Sequence, residues 1–354
     1  MGILKKIGFA SSLFLIRMFD VPIPLIAPLG VTTRCNLRCE YCFGRYGERT
    51  GVDFSTDELI EIVNGLKNLG TKFISLTGGE PLIRSDIGTL VKAVRDAGII
   101  CGMNTNGILI PQRKAEIKYL DSITISLDGP KEMHDLNRGR DSFEKTMAGV
   151  EAAVDLGLDV RLDTVLTRHN VDGIDWLVEF ARKRRILLEF NFLYHQGPQG
   201  NPHQLNFDPS WLRKAALRLV AWKRQGAPIF FSERAYKLAS RWPEPEKKVF
   251  LNREPPPGHP VCKAGKNIIF IEPNGEVYPC PQTLDFFKPL NLRAVGLKKA
   301  WEHCWKHSCK ACYFPCLNEF NDLLNLRFRS IFNQFTHALR RKTGKIPLAE
   351  EREK

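Results

Sequence analysis

Thr33-Arg34-Cys35-Asn36-Leu37-Arg38-Cys39-Glu40-Tyr41-Cys42 places three cysteines within eight residues in a C-x3-C-x2-C spacing. The stretch follows directly on an apolar run at 29–33, so it reads as a loop leaving the C-terminal end of a strand. That end is where α/β barrels carry their catalytic groups. Three thiolates can hold three irons of a [4Fe–4S] cube. With no fourth ligand in the loop, one iron stays open to a small molecule. Zinc is the competing reading, but structural zinc sites take four ligands, usually from C-x2-C pairs.

Outward from this loop the chain alternates short apolar runs with amphipathic stretches. The runs are FISLTGG (73–79), IICGMNTNG (99–107), SITISLDG (122–129), DVRLDTVLT (159–167) and ILLEFNFLY (186–194). With 29–33 they make six strands. Between them, 56–69 sets Leu59, Ile62, Val63 and Leu66 at helical spacing; 86–97 and 142–156 behave alike. Strands alternating with helices imply parallel βαβ units. Six units fall short of the eight that close a barrel, so the expected fold is α/β, an open or partial (β/α)6 barrel.

This core spans 29–205. Ahead of it, 1–28 reads as an apolar and basic helix. Behind it, 206–260 is a helical and Pro-rich connection: 208–240 is helical, and 241–260 holds six prolines, too many for a helix or a central strand. A small Cys-rich α+β extension follows at 261–320, then a basic tail at 321–354.

The chain has 354 residues, 43% hydrophobic and 26% charged. Those proportions exclude a disordered chain, a collagen-like chain and a polytopic membrane protein. The net charge of +13 suits an anionic partner or a solvated basic surface. Nine of the ten cysteines fall in two groups, which points to metal ligation in a reducing, cytoplasmic compartment rather than to a disulfide scaffold. Near the N-terminus the uncharged run 7–16 is ten residues long, too short to span a bilayer, and no convincing signal-peptide cleavage site follows it. Such a helix either packs on the protein's own body or makes a peripheral membrane contact.

The first cysteine group resembles the CxxxCxΦC signature of the radical S-adenosylmethionine (SAM) superfamily, with Tyr41 as the aromatic residue. Further motifs agree in order and strand placement: Thr77-Gly78-Gly79-Glu80-Pro81 ends the second strand, Asn104-Thr105-Asn106-Gly107 the third and Ser126-Leu127-Asp128-Gly129 the fourth. The resemblance covers about residues 29–200. It implies that Cys35, Cys39 and Cys42 hold a [4Fe–4S] cluster to which SAM binds. It implies that Gly78, Gly79 and Glu80 receive the SAM amino group, that Asn104 and Ser126 line the cofactor, Ser126 at the ribose, and that Arg138 in HDLNRG holds the SAM carboxylate. Taken singly, Asn104, Ser126 and Arg138 have turn capping or a surface ion pair as the competing explanation.

The second group begins with Cys262, Gly275 and Cys280 in a C-x12-G-x4-C spacing and continues with Cys309-x2-Cys312-x3-Cys316. The segment between Cys262 and Cys280 reads as a β-hairpin turning at Asn274-Gly275. The group resembles the SPASM/twitch extension of radical SAM enzymes, which carries auxiliary clusters. The second half is shorter than in a full SPASM domain. Two fully ligated cubes need eight thiolates, and this region offers six including Cys304. One auxiliary [4Fe–4S] cluster on four of Cys262, Cys280, Cys309, Cys312 and Cys316 fits better. A zinc site stays open here, with His259, His303 and His307 nearby. Cys101 reads as a buried strand residue, and Cys304 as a bystander.

The resemblance implies an enzyme that reductively cleaves SAM and abstracts a hydrogen atom from its substrate. An electron donor such as ferredoxin or flavodoxin would be its partner. No catalytic acid or base stands out; Asp163 lies on the fifth strand and His195 follows the sixth, and a structural role accounts for either. The first expectation for the substrate is a small molecule or a lipid-linked metabolite at a membrane surface. The alternative is a peptide or protein, although 1–28 is too short for an added peptide-binding domain. A zinc- and RNA-binding protein is a distant third reading; no RNA-recognition motif is present, and no nucleic-acid partner is expected.

Overall fold

The computed structural model describes residues 3–46, 48–49, 51–193, 209–245, 247–327, 330 and 333. In chain order the elements are α1 (Ile3–Phe19), β1 (Ile26–Thr32), α2 (Thr56–Asn68), β2 (Phe73–Gly78), α3 (Ile87–Asp96), β3 (Ile100–Thr105), α4 (Lys114–Ile117), β4 (Ser122–Ser126), α5 (Lys131–Arg138), α6 (Ser142–Asp155), β5 (Val160–Leu166), α7 (Ile174–Arg184), β6 (Leu187–Phe192), α8 (Pro209–Arg224), α9 (Glu233–Ser240), β7 (Val249–Leu251), β8 (Phe270–Ile271), β9 (Glu276–Tyr278), β10 (Leu290–Asn291), α10 (Leu292–Val295), α11 (Leu297–Cys304), β11 (Cys309–Cys312) and α12 (Pro315–Leu324). The six strand–helix units expected from the apolar runs are present as β1 to β6, and the α/β class follows from them. The chain forms two compact units, 1–126 with 138–160 and 263–308, and 127–137 with 161–262 and 309–354.

In the first unit β1, β2, β3 and β4 run parallel, with Leu29 opposite Leu76, Leu76 opposite Met103, and Met103 opposite Ile123. Leu29, Val31, Ile74, Leu76, Met103, Ile123 and Ile125 are buried, as a sheet covered on both faces requires. α2 buries the Leu59, Ile62, Val63 and Leu66 stripe. A capping box starts it, with Ser55 and Glu58 satisfying each other's backbone donors. α3 buries Leu90, Val91 and Val94 in the same way. Each such side chain contributes about 1.5–3 kcal/mol. On the other edge, β8 joins β1 in parallel, and β9 and β10 follow antiparallel. The hairpin turning at Asn274-Gly275 thus extends the sheet on the β1 side.

α1 is tied to this unit. Leu13 and Ile16 are buried, Lys5 pairs with Asp121 at 2.9 Å, and Asp20 beyond its end accepts from Lys263 and Lys266. Among the described residues no helix is long and apolar enough to cross a membrane.

In the second unit β5 and β6 pair in parallel, with Asp163 opposite Glu189. β11 pairs antiparallel with β7. The expected helical stretch 208–240 is divided: α8 ends at Arg224, and Gly226, at φ +79°, turns the chain into Pro228 before α9 begins. Proline cannot donate to a helix ladder, and the extended residue after it, Ile229, bridges to Leu188. His195 and the basic tail beyond Arg327, apart from positions 330 and 333, lie outside the described residues.

Candidate active site

Because β1 to β4 are parallel, their C-terminal ends share one edge of the sheet. That edge carries the cysteine loop after β1, Gly78-Gly79-Glu80 after β2, Thr105-Asn106 at β3 and Ser126 at β4. The loop's entry is pinned by a residue that carries no motif. The Asp53 carboxylate accepts from Thr32 Oγ1, from Thr33 N at 2.7 Å and from Thr33 Oγ1 at 2.8 Å. Arg84, buried, donates to the carbonyls of Val31 and Phe54 and pairs with Asp86.

The two glycines after β2 fit against this loop. Gly79 N donates to Thr32 O at 2.8 Å, and Glu80 N to Arg34 O at 2.9 Å. A Cβ on Gly79 would stand 2.1 Å from Arg34 O, and one on Gly78, at φ +117°, 2.5 Å from Thr32 O. No side chain fits there. These glycines therefore set the position of the cysteine loop through direct backbone contact.

Glu80 is fully buried. Its Oε1 accepts from Thr105 Oγ1 at 2.7 Å and Leu82 N at 3.1 Å, and its Oε2 from Asn106 N at 2.8 Å. Burial raises its pKa, and these donors, with Arg138 nearby, oppose the rise. The carboxylate thus joins the ends of β2 and β3. Asn106 completes the connection by donating from Nδ2 to Asn36 Oδ1, inside the cysteine loop, at 2.7 Å. Within the expected Asn104-Thr105-Asn106-Gly107 motif, Thr105 and Asn106 turn inward. Asn104 is exposed and accepts from Ser75 Oγ at 3.2 Å. Ser126 is half-buried at the end of β4.

Cys35, Cys39 and Cys42 are all half-buried and unbridged. Cys42 N closes a turn on Cys39 O at 3.1 Å, and Leu37 N donates to Cys35 Sγ at 3.4 Å. Burial pushes the Cys35 thiol up to about 11; Glu80 and Cys42 add to the rise and Arg138 opposes it. Those four groups therefore lie within electrostatic reach of one another. The Arg138 guanidinium, at the end of α5, sits 5.4 Å from the centroid of the Tyr41 ring, a cation–π distance. Of the residues expected at the site, Cys35, Cys42, Tyr41, Glu80 and Arg138 thus share one locality in the first unit.

The second cysteine group divides. Cys280, buried, precedes a short helical turn in the first unit. Cys262, Cys309, Cys312 and Cys316 belong to the second, the middle two buried on β11. Burial pushes the Cys316 thiol up to about 12, with Asp163 and Glu189 adding to the shift. Asp163 accepts from Asn191 at 2.8 Å, and Glu189 pairs with Arg161 at 3.0 Å. Cys304 donates to Val277 O and is held at about 12 by burial. Among the described residues no three His, Cys, Asp or Glu side chains gather around a single-ion position. The fit to a cluster rests on donor chemistry: three half-buried thiols in one loop, a cation and an aromatic ring beside them, and an all-backbone wall behind.

Comparison with known proteins agrees with this reading. Residues 29–181 match the sequence profile of the Radical SAM superfamily. A mycofactocin maturase of Mycolicibacterium smegmatis is 29% identical over 299 residues, 82% of this chain and 72% of that protein. A GTP 3′,8-cyclase of Cronobacter sakazakii is 34% identical over 181 residues, 48% of this chain and 55% of that protein. The crystal structure of Streptococcus suis SuiB bound to S-adenosylmethionine superposes with a TM-score of 0.64 at 19% identity, covering 83% of this chain and 69% of that one, and so shares the fold. Enzymes of this family use a [4Fe–4S] cluster and SAM. With the C-x3-C-x2-C loop at the strand edge, the glycine wall behind it and a profile match that runs from β1 into α7, the chain is an enzyme whose residues 29–181 form a radical SAM domain, followed by a Cys-rich extension.

Proposed function

We propose that this radical SAM enzyme is a maturase that modifies a peptide or protein. The observation that carries this is the extent of the match to the mycofactocin maturase. An alignment over 82% of the chain must take in Cys262 and Cys280 as well as the barrel. The match to the GTP cyclase covers about half of the chain. A small-molecule or lipid-linked substrate, the first expectation from sequence, has that shorter likeness behind it. SuiB, whose fold this chain shares, has been seen with its precursor peptide SuiA.

When bound, cluster and SAM supply reductive sulfonium cleavage and hydrogen-atom abstraction. The chain's residues serve that chemistry as follows. Cys35, Cys39 and Cys42 would ligate three irons. The Arg138 guanidinium, oriented over Tyr41, offers a SAM carboxylate its charge-assisted donors. The carbonyls along Gly78 and Gly79 would receive the SAM ammonium, with the Glu80 carboxyl behind them. Ser126, at the end of β4, would meet the ribose, and Asn104 would line the cofactor. Four thiols from Cys262, Cys280, Cys309, Cys312 and Cys316 suffice to close a second cube.

The test is the dependence of 5′-deoxyadenosine formation on substrate class. Reconstituted enzyme with SAM and dithionite is given a peptide fraction of the host's cells, with and without prior proteinase digestion, or a lipid extract. The peptide reading expects stimulation that digestion abolishes. Stimulation that survives digestion, or that follows the lipid extract, overturns it.

A further inference from the structure

α1 has two faces of different fate. Leu13 and Ile16 are buried against the first unit, yet Ile7, Phe14, Met18 and Phe19 are 59, 53, 57 and 67% exposed, and Leu15 is 42% exposed. Ile7, Phe14 and Met18 repeat at seven and four residues, so they stand in one row along the helix. Leu15 and Phe19 broaden that row on one side. Packing on the protein's own body therefore uses one face of α1 and leaves an apolar stripe open.

Among the described residues the charges that border the stripe are mainly cationic. α1 contains no acidic residue. Arg17 is exposed beside Phe14 and Met18, and the Lys72 side chain lies against Gly8. Asp20, just past the end of the helix, is held by both Lys263 and Lys266, which leaves that corner cationic. Lys5 is neutralised against Asp121. Two copies of this face would bring Arg17, Lys72 and Lys266 against their own kind, and the net charge of +13 opposes such a pairing throughout. A surface that is both apolar at depth and anionic at its rim complements the stripe, and an anionic phospholipid bilayer is such a surface.

We propose that α1 lies in the interface of an anionic membrane, with Ile7, Phe14, Leu15, Met18 and Phe19 immersed and Arg17, Lys72 and Lys266 at the headgroups. The contact is peripheral, since α1 is 17 residues long and its other face is bound to the protein. It does not depend on the substrate: the stripe can hold a peptide-modifying enzyme at a membrane as readily as any other.

The full chain is sedimented with vesicles of phosphatidylcholine alone and of phosphatidylcholine with phosphatidylglycerol, at low and high salt. The proposal expects binding to the anionic vesicles only, at least tenfold weaker in the double variant Phe14→Glu/Met18→Glu, and weakened by Arg17→Glu and by salt. Both altered side chains are exposed, so the fold is retained, and unchanged circular dichroism and melting temperature verify that. Absence of wild-type binding to anionic vesicles overturns the proposal, as does equal binding by the double variant. A dimer that the double variant dissolves, with no vesicle binding by wild type, assigns the stripe to self-association and overturns it too.

Discussion

Truncating Glu80 to alanine would strand three donors at once, Thr105 Oγ1, Asn106 N and Leu82 N. Buried donors left without acceptors cost about 1–3 kcal/mol each, so Glu80→Ala is expected to lose about 3 kcal/mol or more in urea unfolding of the cluster-free protein. Glu80→Gln, which keeps one acceptor oxygen, should lose less. Equal, negligible losses would show that the carboxylate does not join β2 to β3. Thiol reactivity gives a second check. Cys101 and Cys304 are held at about 12 by burial, with Asp121 adding to the shift at Cys101. Few of their thiolates exist at about pH 8. In cluster-free protein Cys39 and Cys42 should alkylate first, and Cys101 and Cys304 only after denaturation. Mass spectrometry of the native protein showing early modification of Cys101 would contradict its placement. Part of this scale was legible in sequence. Cys101 read as a strand interior, and the motif residues Glu80 and Arg138 stood out. Asp53 did not, because a lone aspartate twenty residues after Thr33 carries no local signal. Nor did the inward turn of Asn106, since a strand's alternation breaks where the strand ends.

The short hairpin β8–β9 is the element that binds the Cys-rich extension to the cluster loop. Glu272, beside its turn, is buried; Tyr46 Oη donates to it at 2.6 Å, and Arg49 pairs with it. Phe43, next to Cys42, meets the Phe270 ring edge-on at 6.2 Å. A buried donor left without its acceptor costs about 1–3 kcal/mol, and Arg49, 35% exposed, adds little when its partner is removed. Glu272→Ala, which strands Tyr46 Oη, is expected to lower stability by about 2 kcal/mol and to reduce iron retained by the Cys35 loop after gel filtration. A variant with unchanged iron content would show that the hairpin does not hold the loop. The pH dependence has a definite sign. Burial raises the Glu272 carboxyl above its ordinary value, with Tyr46 and Arg49 opposing. A group whose folded pKa is raised contributes its full stability below the unfolded value, about 4.3, and loses it as pH rises through the raised value. Arg49→Met removes the opposing cation, so melting temperature should fall more steeply with rising pH than in wild type; a shallower fall contradicts the pairing. Sequence announced the longer elements through their apolar periods. It announced the hairpin through Asn274-Gly275, but not its place beside β1, since two-residue strands carry no period and Tyr46 and Glu272 lie 226 positions apart.

Across the whole molecule, the cysteine count and the family's chemistry meet in the iron content. Two cubes require about eight irons per chain. Replacing Cys35, Cys39 and Cys42 together by alanine should remove about four, and replacing Cys309, Cys312 and Cys316 the other four. Zinc in place of the second set would leave about four irons in wild type and none in the first variant. Sequence carried the barrel and the cluster loop at this scale, because the strand-end motifs sit at intervals that only parallel strands bring to one edge. It could not divide the second cysteine group, whose members join different units, since segment order does not report which bodies a chain returns to. The most direct measurement of the central claim is 5′-deoxyadenosine formed by the anaerobically reconstituted protein with SAM and dithionite. The wild type is predicted to form it, and the Cys35/Cys39/Cys42→Ala variant is predicted not to. A wild type that holds its clusters and binds SAM, yet forms none with peptide or lipid fractions supplied, would contradict the assignment of radical SAM chemistry to this strand edge.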